Sequence, residues 1–174
     1  MNMASATTIS YNRITRQIKS KVRVFNGLMI AANNNNWEAQ EAKTKEYTAV
    51  WDTGASSSAI TRRVVDELEL SVISRGTTHT AADSKETTIH DIHLWLPDHV
   101  IITHCAAICV DLNLPDVDLL IGMDVISQGD FSISNYQGNT VMSFRVPSQA
   151  CIDYVDLINQ QNKTLTLSNF WKDF

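Results

Sequence analysis

The first residue in this chain that is placed to do chemistry is Asp52. It closes the apolar run Ala49-Val50-Trp51 and is followed at once by Thr53, Gly54, Ala55 and Ser56. A strand would thus deliver a carboxylate onto a tight turn, with a hydroxyl and a glycine beside it. Such a carboxylate can act on water as a general base, or on a carbonyl as a general acid, and two carboxylates sharing one proton can do both. The Asp-Thr-Gly turn occurs once in the sequence, so one chain supplies half of such a pair. Other chemistries are less well served. Ser56, Ser57 and Ser58 have no histidine at a recognisable nucleophile motif. His90 and His93 fall on opposite faces of a strand, which argues against a shared metal among His79, His90, His93, His99 and His104. No metal and no cofactor is expected. Cys105 and Cys109, four apart on a strand, stand about 13 Å from each other, too far for a disulfide. They read with Cys151 as free thiols of a reducing, cytoplasmic compartment.

The elements that must hold Asp52 read mostly as strands. From Ile14 the even positions Ile14, Ile18, Val22 and Val24 are apolar while Arg13, Lys19, Lys21 and Arg23 fall on odd ones, the period of a half-buried strand. Residues 1–12 carry no period and read as a loose tail. Asn33 to Asn36 mark a polar loop before the strand Lys43 to Trp51, which ends at Asp52. Thr61 is placed to cap a short helix running to Leu68, with Val64, Val65 and Leu68 inward. Strands follow at Leu70 to Arg75, Thr77 to Ala82 and Glu86 to Leu96, the last two forming a projecting hairpin about Asp83-Ser84-Lys85. Val100 to Val110 is apolar on both faces and belongs inside the sheet. Asp116 to Gly122 is a further strand, Met123 to Ser127 a helical turn or two with Asp124 near its positive end. Phe131 to Ser134 and Thr140 to Val146 make a last hairpin. After residue 148 the chain reads as a C-terminal extension, 149–174, with helical spacing at Tyr154, Leu157 and Ile158.

With 174 residues, 44% hydrophobic and 19% charged, the chain suits one globular domain, here residues 13–148, with short extensions. The formal charge of -5 and the lack of aromatics among the early cations argue against nucleic acid as a partner. No apolar run reaches the roughly 18 residues that cross a bilayer, so no membrane partner is expected. The fold class is all-β.

Three stretches together carry a family likeness. The turn Ala49 to Ser56, the hairpin Thr80 to Glu86 and the later Leu119-Leu120-Ile121-Gly122-Met123-Asp124 resemble the retropepsin-like aspartic proteases. Gly129-Asp130-Phe131-Ser132-Ile133 resembles their bacterial branch. The likeness covers roughly residues 45–146. It implies a closed β-barrel of the acid-protease type, one lobe per chain, with short helices after the active-site loop and after the second glycine motif. It also implies a homodimeric endopeptidase, with Asp52 catalytic in each subunit and peptide or protein as substrate. By the same resemblance Thr53 bonds across the two-fold axis, and Gly54 brings its N–H to Asp52. Ala55 stands where pepsin-like enzymes often carry serine, which implies activity nearer neutral pH. Leu120, Ile121 and Gly122 back the turn, and Thr80, Ala81, Ala82, Asp83 and Ser84 belong to the flap over the substrate. The sequence departs from the family at two places. The flap tip has no glycine, and Met123-Asp124 stands where retroviral members carry an arginine. The first departure keeps open a second reading, a peptide-binding or dimerisation module of this fold with little or no turnover.

Overall fold

The computed structural model describes residues 3–26, 44–79 and 84–170. Strand β2 (Ile18–Asn26) alternates as its sequence does, with Ile18, Ser20, Val22 and Val24 turned inward. It pairs antiparallel with β3 (Lys45–Trp51) along one side. On its other side Arg23 to Asn26 pairs with Trp95 to Ile92 of β6 (Ser84–Trp95). A strand bonded on both edges to the two ends of one sheet closes that sheet into a barrel. The ring runs β2, β3, β8 (Leu119–Ile121), β4 (Ala59–Ile60), β7 (Ile101–Cys109), β6 and back to β2, six strands in all. Val24, Ala49, Ile60, Leu94, Ala107 and Ile121 are fully buried in the core. The expected all-β closed barrel is what the chain forms.

Strand β5 (Val72–His79) pairs only with β6. The two strands read from the sequence either side of Gly76 are thus, up to His79, one continuous strand that carries Gly76 in its ladder opposite Thr87. Together β5 and the first half of β6 form an arm. Thr80, Ala81, Ala82 and Asp83, expected in the flap, lie outside the described residues; Ser84 begins β6.

Helix α1 (Arg62–Glu67) buries Val64 and Val65. Thr61 occupies the N-cap position with extended backbone, but its side chain makes no capping bond and its hydroxyl is buried without a partner among the described residues. The helix is fastened instead through charge: Arg63 bonds Asp118, whose other oxygen accepts the Thr48 N–H at 2.9 Å. Tyr47 donates its hydroxyl to Glu67 at 3.0 Å, and burial together with that carboxylate pushes the phenol upward from its ordinary range.

A second sheet is built by β1 (Ser5–Ser10), β10 (Val141–Val146) and β9 (Asp130–Ser134), in that spatial order β1-β10-β9. The loose tail expected over residues 1–12 is corrected here. Ser5 to Ser10 pairs residue for residue with Val146 to Val141, a long-range ladder that no local period announces. Ile14, expected in the first strand, is exposed and lies before it. Trp51 joins the two sheets, stacking on Phe131 and tilting against Phe144 while its indole N–H reaches Ser20 at 3.0 Å. Helix α3 (Tyr154–Phe170) starts at Asp153, whose carboxylate accepts the N–H groups of Val155 and Asp156. Tyr154, Val155, Leu157 and Ile158 on it are exposed. Among the described residues no helix is long and apolar enough to cross a membrane.

Asp130 ties the second sheet together. Its carboxylate accepts bonds from the Ser148 hydroxyl, the Gln149 N–H and the Arg145 guanidinium, and these hold it well below the usual carboxylate range. A carboxylate depressed in the folded state contributes stability that is complete above its unfolded value of about 3.9. That contribution is lost as pH falls below this value. We expect the melting temperature of the wild type to drop more steeply than that of Asp130→Asn on acidification below about pH 4. Parallel slopes in thermal scans would count against this tie.

Candidate active site

Asp52 follows the last residue of β3, and its N–H donates to the Ile121 carbonyl at 2.9 Å, extending the parallel β3–β8 ladder by one bond. The chain then turns. The Gly54 N–H donates to Asp52 Oδ1 at 2.9 Å, and the Ala55 N–H donates to the Asp52 carbonyl at 3.2 Å. The carboxylate is therefore held by backbone and aimed along the turn. It is half-buried, whereas Thr53 and Gly54 beside it are exposed. The Thr53 side chain has no hydrogen-bond partner among the described residues.

Behind the turn, β8 inserts between β3, to which it is parallel, and β4, to which it is antiparallel. Leu119 and Ile121 are buried in the core, and Leu120 faces the groove described below. Gly122 passes so close to the loop that a Cβ there would lie 2.6 Å from the Ser57 carbonyl carbon and 2.9 Å from the Ser58 nitrogen. Helix α2 (Met123–Ile126) starts directly after it, and the Met123 N–H donates to the Ala55 carbonyl at 2.8 Å. Asp124 is not only a charge at a helix start. It accepts the Ser58 hydroxyl at 2.8 Å, while Ser58 Oγ itself accepts the Gly122 N–H at 3.0 Å. Cys105 adds a weak S–H bond to Asp124, and burial followed by that carboxylate pushes its thiol up to about 12. The loop is thus clamped through the Ser58 hydroxyl, between the Gly122 N–H and the Asp124 carboxylate.

From the sequence Ser58 reads only as part of a polar turn, because its partners Gly122 and Asp124 lie more than sixty residues away. Ser58→Ala is expected to leave the buried Gly122 N–H without a partner and to cost about 1–3 kcal/mol. Urea unfolding should show a lower midpoint with an unchanged slope; an unshifted midpoint would mean that the clamp contributes nothing.

An open groove of about 900 Å³ runs from Gly54 and Ala55 past Leu120 and Ile108 to Arg75 and Lys85 on the arm. Its walls are thus the Asp52 turn, the end of β7 and the β5–β6 arm. At its far side Lys85 pairs with Asp111 at 3.1 Å, both largely exposed. Thr87 bonds the Cys109 carbonyl and fixes the arm to β7.

The histidines sort in a way that strand alternation alone does not show. His90 is satisfied by the Ser71 carbonyl and Thr88. His93 instead meets His104 from β7, with ring centroids 4.7 Å apart, and Asp91 bonds His104 at 3.1 Å. His90, His93 and His104 all lie away from the groove lining.

Comparison with known proteins agrees with this geometry. A family model described as gag-polyprotein putative aspartyl protease matches residues 39–128, a little over half of the chain. No curated protein sequence matches significantly. Among solved structures, a retropepsin-like aspartic protease from Rickettsia conorii is similar over 84% of this chain and 98% of its own, with 15% identity and a TM-score of 0.50. At that identity the likeness is one of fold. With the Asp52 turn, its backing strand and the closed barrel all lying within or beside the matched residues, the chain belongs to the gag-polyprotein putative aspartyl protease family.

Proposed function

We propose that the protein is an aspartic endopeptidase that acts as a homodimer, hydrolysing peptide bonds with a water held between two Asp52 carboxylates, one from each subunit. The observation that carries this reading is the state of the turn in a single chain. Asp52 is fixed by the Gly54 N–H, yet Thr53 and Gly54 are exposed and the Thr53 hydroxyl is unused among the described residues. A second copy brought up across a two-fold axis would cover them and supply the missing carboxylate. One Asp52, ionised, takes a proton from the water as it attacks the scissile carbonyl; the other, protonated, donates to the carbonyl oxygen. The groove beside the turn has room for an extended peptide, and the arm along it leads into the flap residues Thr80 to Ser84. A cytoplasmic location, motivated by three free cysteines, belongs to the same reading.

The absence of glycine from Ala81-Ala82-Asp83-Ser84-Lys85, the segment expected to form the flap, favours a second reading. The backbone of such a segment is less free to open and close, as would suit a module that holds peptides in the groove with little turnover. Digestion of a denatured proteome by wild type and by Asp52→Asn separates the two. Peptides cut only by the wild type support the endopeptidase, and identical peptide lists support the binding module.

A further inference from the structure

Outside the groove the least expected group in the molecule is the imidazole of His93. It is 2% exposed, and neither ring nitrogen has a hydrogen-bond partner among the described residues. A buried imidazole without a single bond forfeits the hydration of both nitrogens, a loss that folded proteins seldom leave uncompensated. The surroundings show what would compensate it. Strand β6 places Asp91 and His93 two residues apart on one face. Across the ladder Ile92 faces Cys105 while Leu94 faces Ile102, so that His93 alone opposes two residues of β7. That bulge puts His104 in the left-handed region, at φ 56°, and turns its ring toward His93.

We propose that Asp91, His93 and His104 form a binding site for a divalent transition-metal ion of the zinc type. Each residue offers one ligand atom, and the three atoms lie within 4.8 Å of one another. Around a tetrahedral ion with bonds of about 2.0–2.1 Å, ligand atoms stand about 3.3 Å apart. The Asp91–His104 contact of 3.1 Å is already near that spacing. The remaining adjustment is at most about 1.5 Å of ring movement, and His104, which is 74% exposed, has the freedom to make it. Two imidazoles and a carboxylate suit zinc, cobalt or nickel and not calcium or magnesium, which take oxygen donors. The ion would occupy the space at which the unpartnered His93 is aimed and leave a fourth position for water. It would also pin β6 to β7 at their bulge, further along the same pair of strands whose other ends carry the groove.

The test uses the full chain, stripped of metal and titrated with Co²⁺ and with Zn²⁺. The expected results are visible d–d bands of tetrahedral Co²⁺ that saturate at one equivalent per chain, without a thiolate charge-transfer band, and displacement by Zn²⁺. His104→Asn, in which asparagine tolerates the left-handed backbone, should weaken binding at least about ten-fold. His93→Leu should abolish it and, without metal, should melt no lower than the wild type, since it removes an unpaired buried polar group. Zinc at about a hundred times its dissociation constant should raise the melting temperature of the wild type by about 5–10 °C and leave His93→Leu unmoved. Absence of saturable binding would overturn the site and assign His93 to a buried water. A thiolate band, or binding undiminished in both variants, would overturn it equally, by placing the metal elsewhere. Peptide cleavage is read by none of these measurements, so the endopeptidase reading stands or falls separately.

Discussion

Asp52→Asn is expected to lower peptide cleavage by about 10²–10⁴-fold while the protein remains folded. The substitution keeps the size and one oxygen of the side chain, so the bond from the Gly54 N–H at 2.9 Å can persist. What it removes is the proton-accepting charge. Mixing gives the sharper result. If each active site is built from two chains, equal amounts of wild type and Asp52→Asn that exchange subunits should leave about a quarter of the dimers with both aspartates. Activity per wild-type chain should then fall to about half of its unmixed value. Activity unaffected by the variant, in a mixture shown to exchange, would mean that one carboxylate suffices in each chain. A strictly monomeric protein that cleaves peptides would show the same thing more directly.

Gly122→Ala is expected to damage stability and activity together. Its Cβ would meet the Ser57 carbonyl carbon at 2.6 Å, the Ser57 oxygen at 2.7 Å and the Ser58 nitrogen at 2.9 Å. All three are backbone atoms, so no side-chain rotation relieves the contact. Overpacking of this kind costs typically about 1–3 kcal/mol. It would also displace the loop from which Ser58 clamps Gly122 and Asp124. The loop begins at Asp52 itself, and a shift of about 1 Å in a reacting group can cost about 10²-fold in rate. Gly54→Ala makes a useful contrast, because there the Cβ would meet only the Asp52 side-chain oxygen, at 3.2 Å. Thermal melts and cleavage rates on both variants check the ranking. A Gly122→Ala protein as stable and active as Gly54→Ala would show that the close approach is not rigid.

Local chemistry accounts for the elements that are legible without coordinates. The alternation of Ile18, Val22 and Val24 against Lys19, Lys21 and Arg23 marks β2, and the apolar run before Asp52 marks the end of β3, because a strand exposes its periodicity residue by residue. The hairpin of β9 and β10 is marked in the same way by its turn. Ser5 to Ser10 escapes for the opposite reason. Its burial pattern leaves only Thr7 fully inside, so its identity as a strand comes from β10, at the other end of the chain. Gly76 reads as a break because isolated glycines often are one, yet pairing to Thr87 carries it through.

The Asp52 turn shows the same division. From the sequence alone come the all-β class, the single Asp-Thr-Gly carboxylate and the family that Asp52, Leu120, Ile121 and Gly122 resemble, since these depend on residue type and short-range order. Tertiary structure decided how the turn is held: by Ile121 and Gly122 arriving from about seventy residues away, by Ser58 bridging to Asp124, and by a groove whose walls come from β7 and the β5–β6 arm. It also decided the grouping of His93 with His104 and Asp91, which depends on a one-residue bulge in pairing register. Register between distant strands is set by the packing of the whole barrel. No window of sequence short enough to show a period contains it.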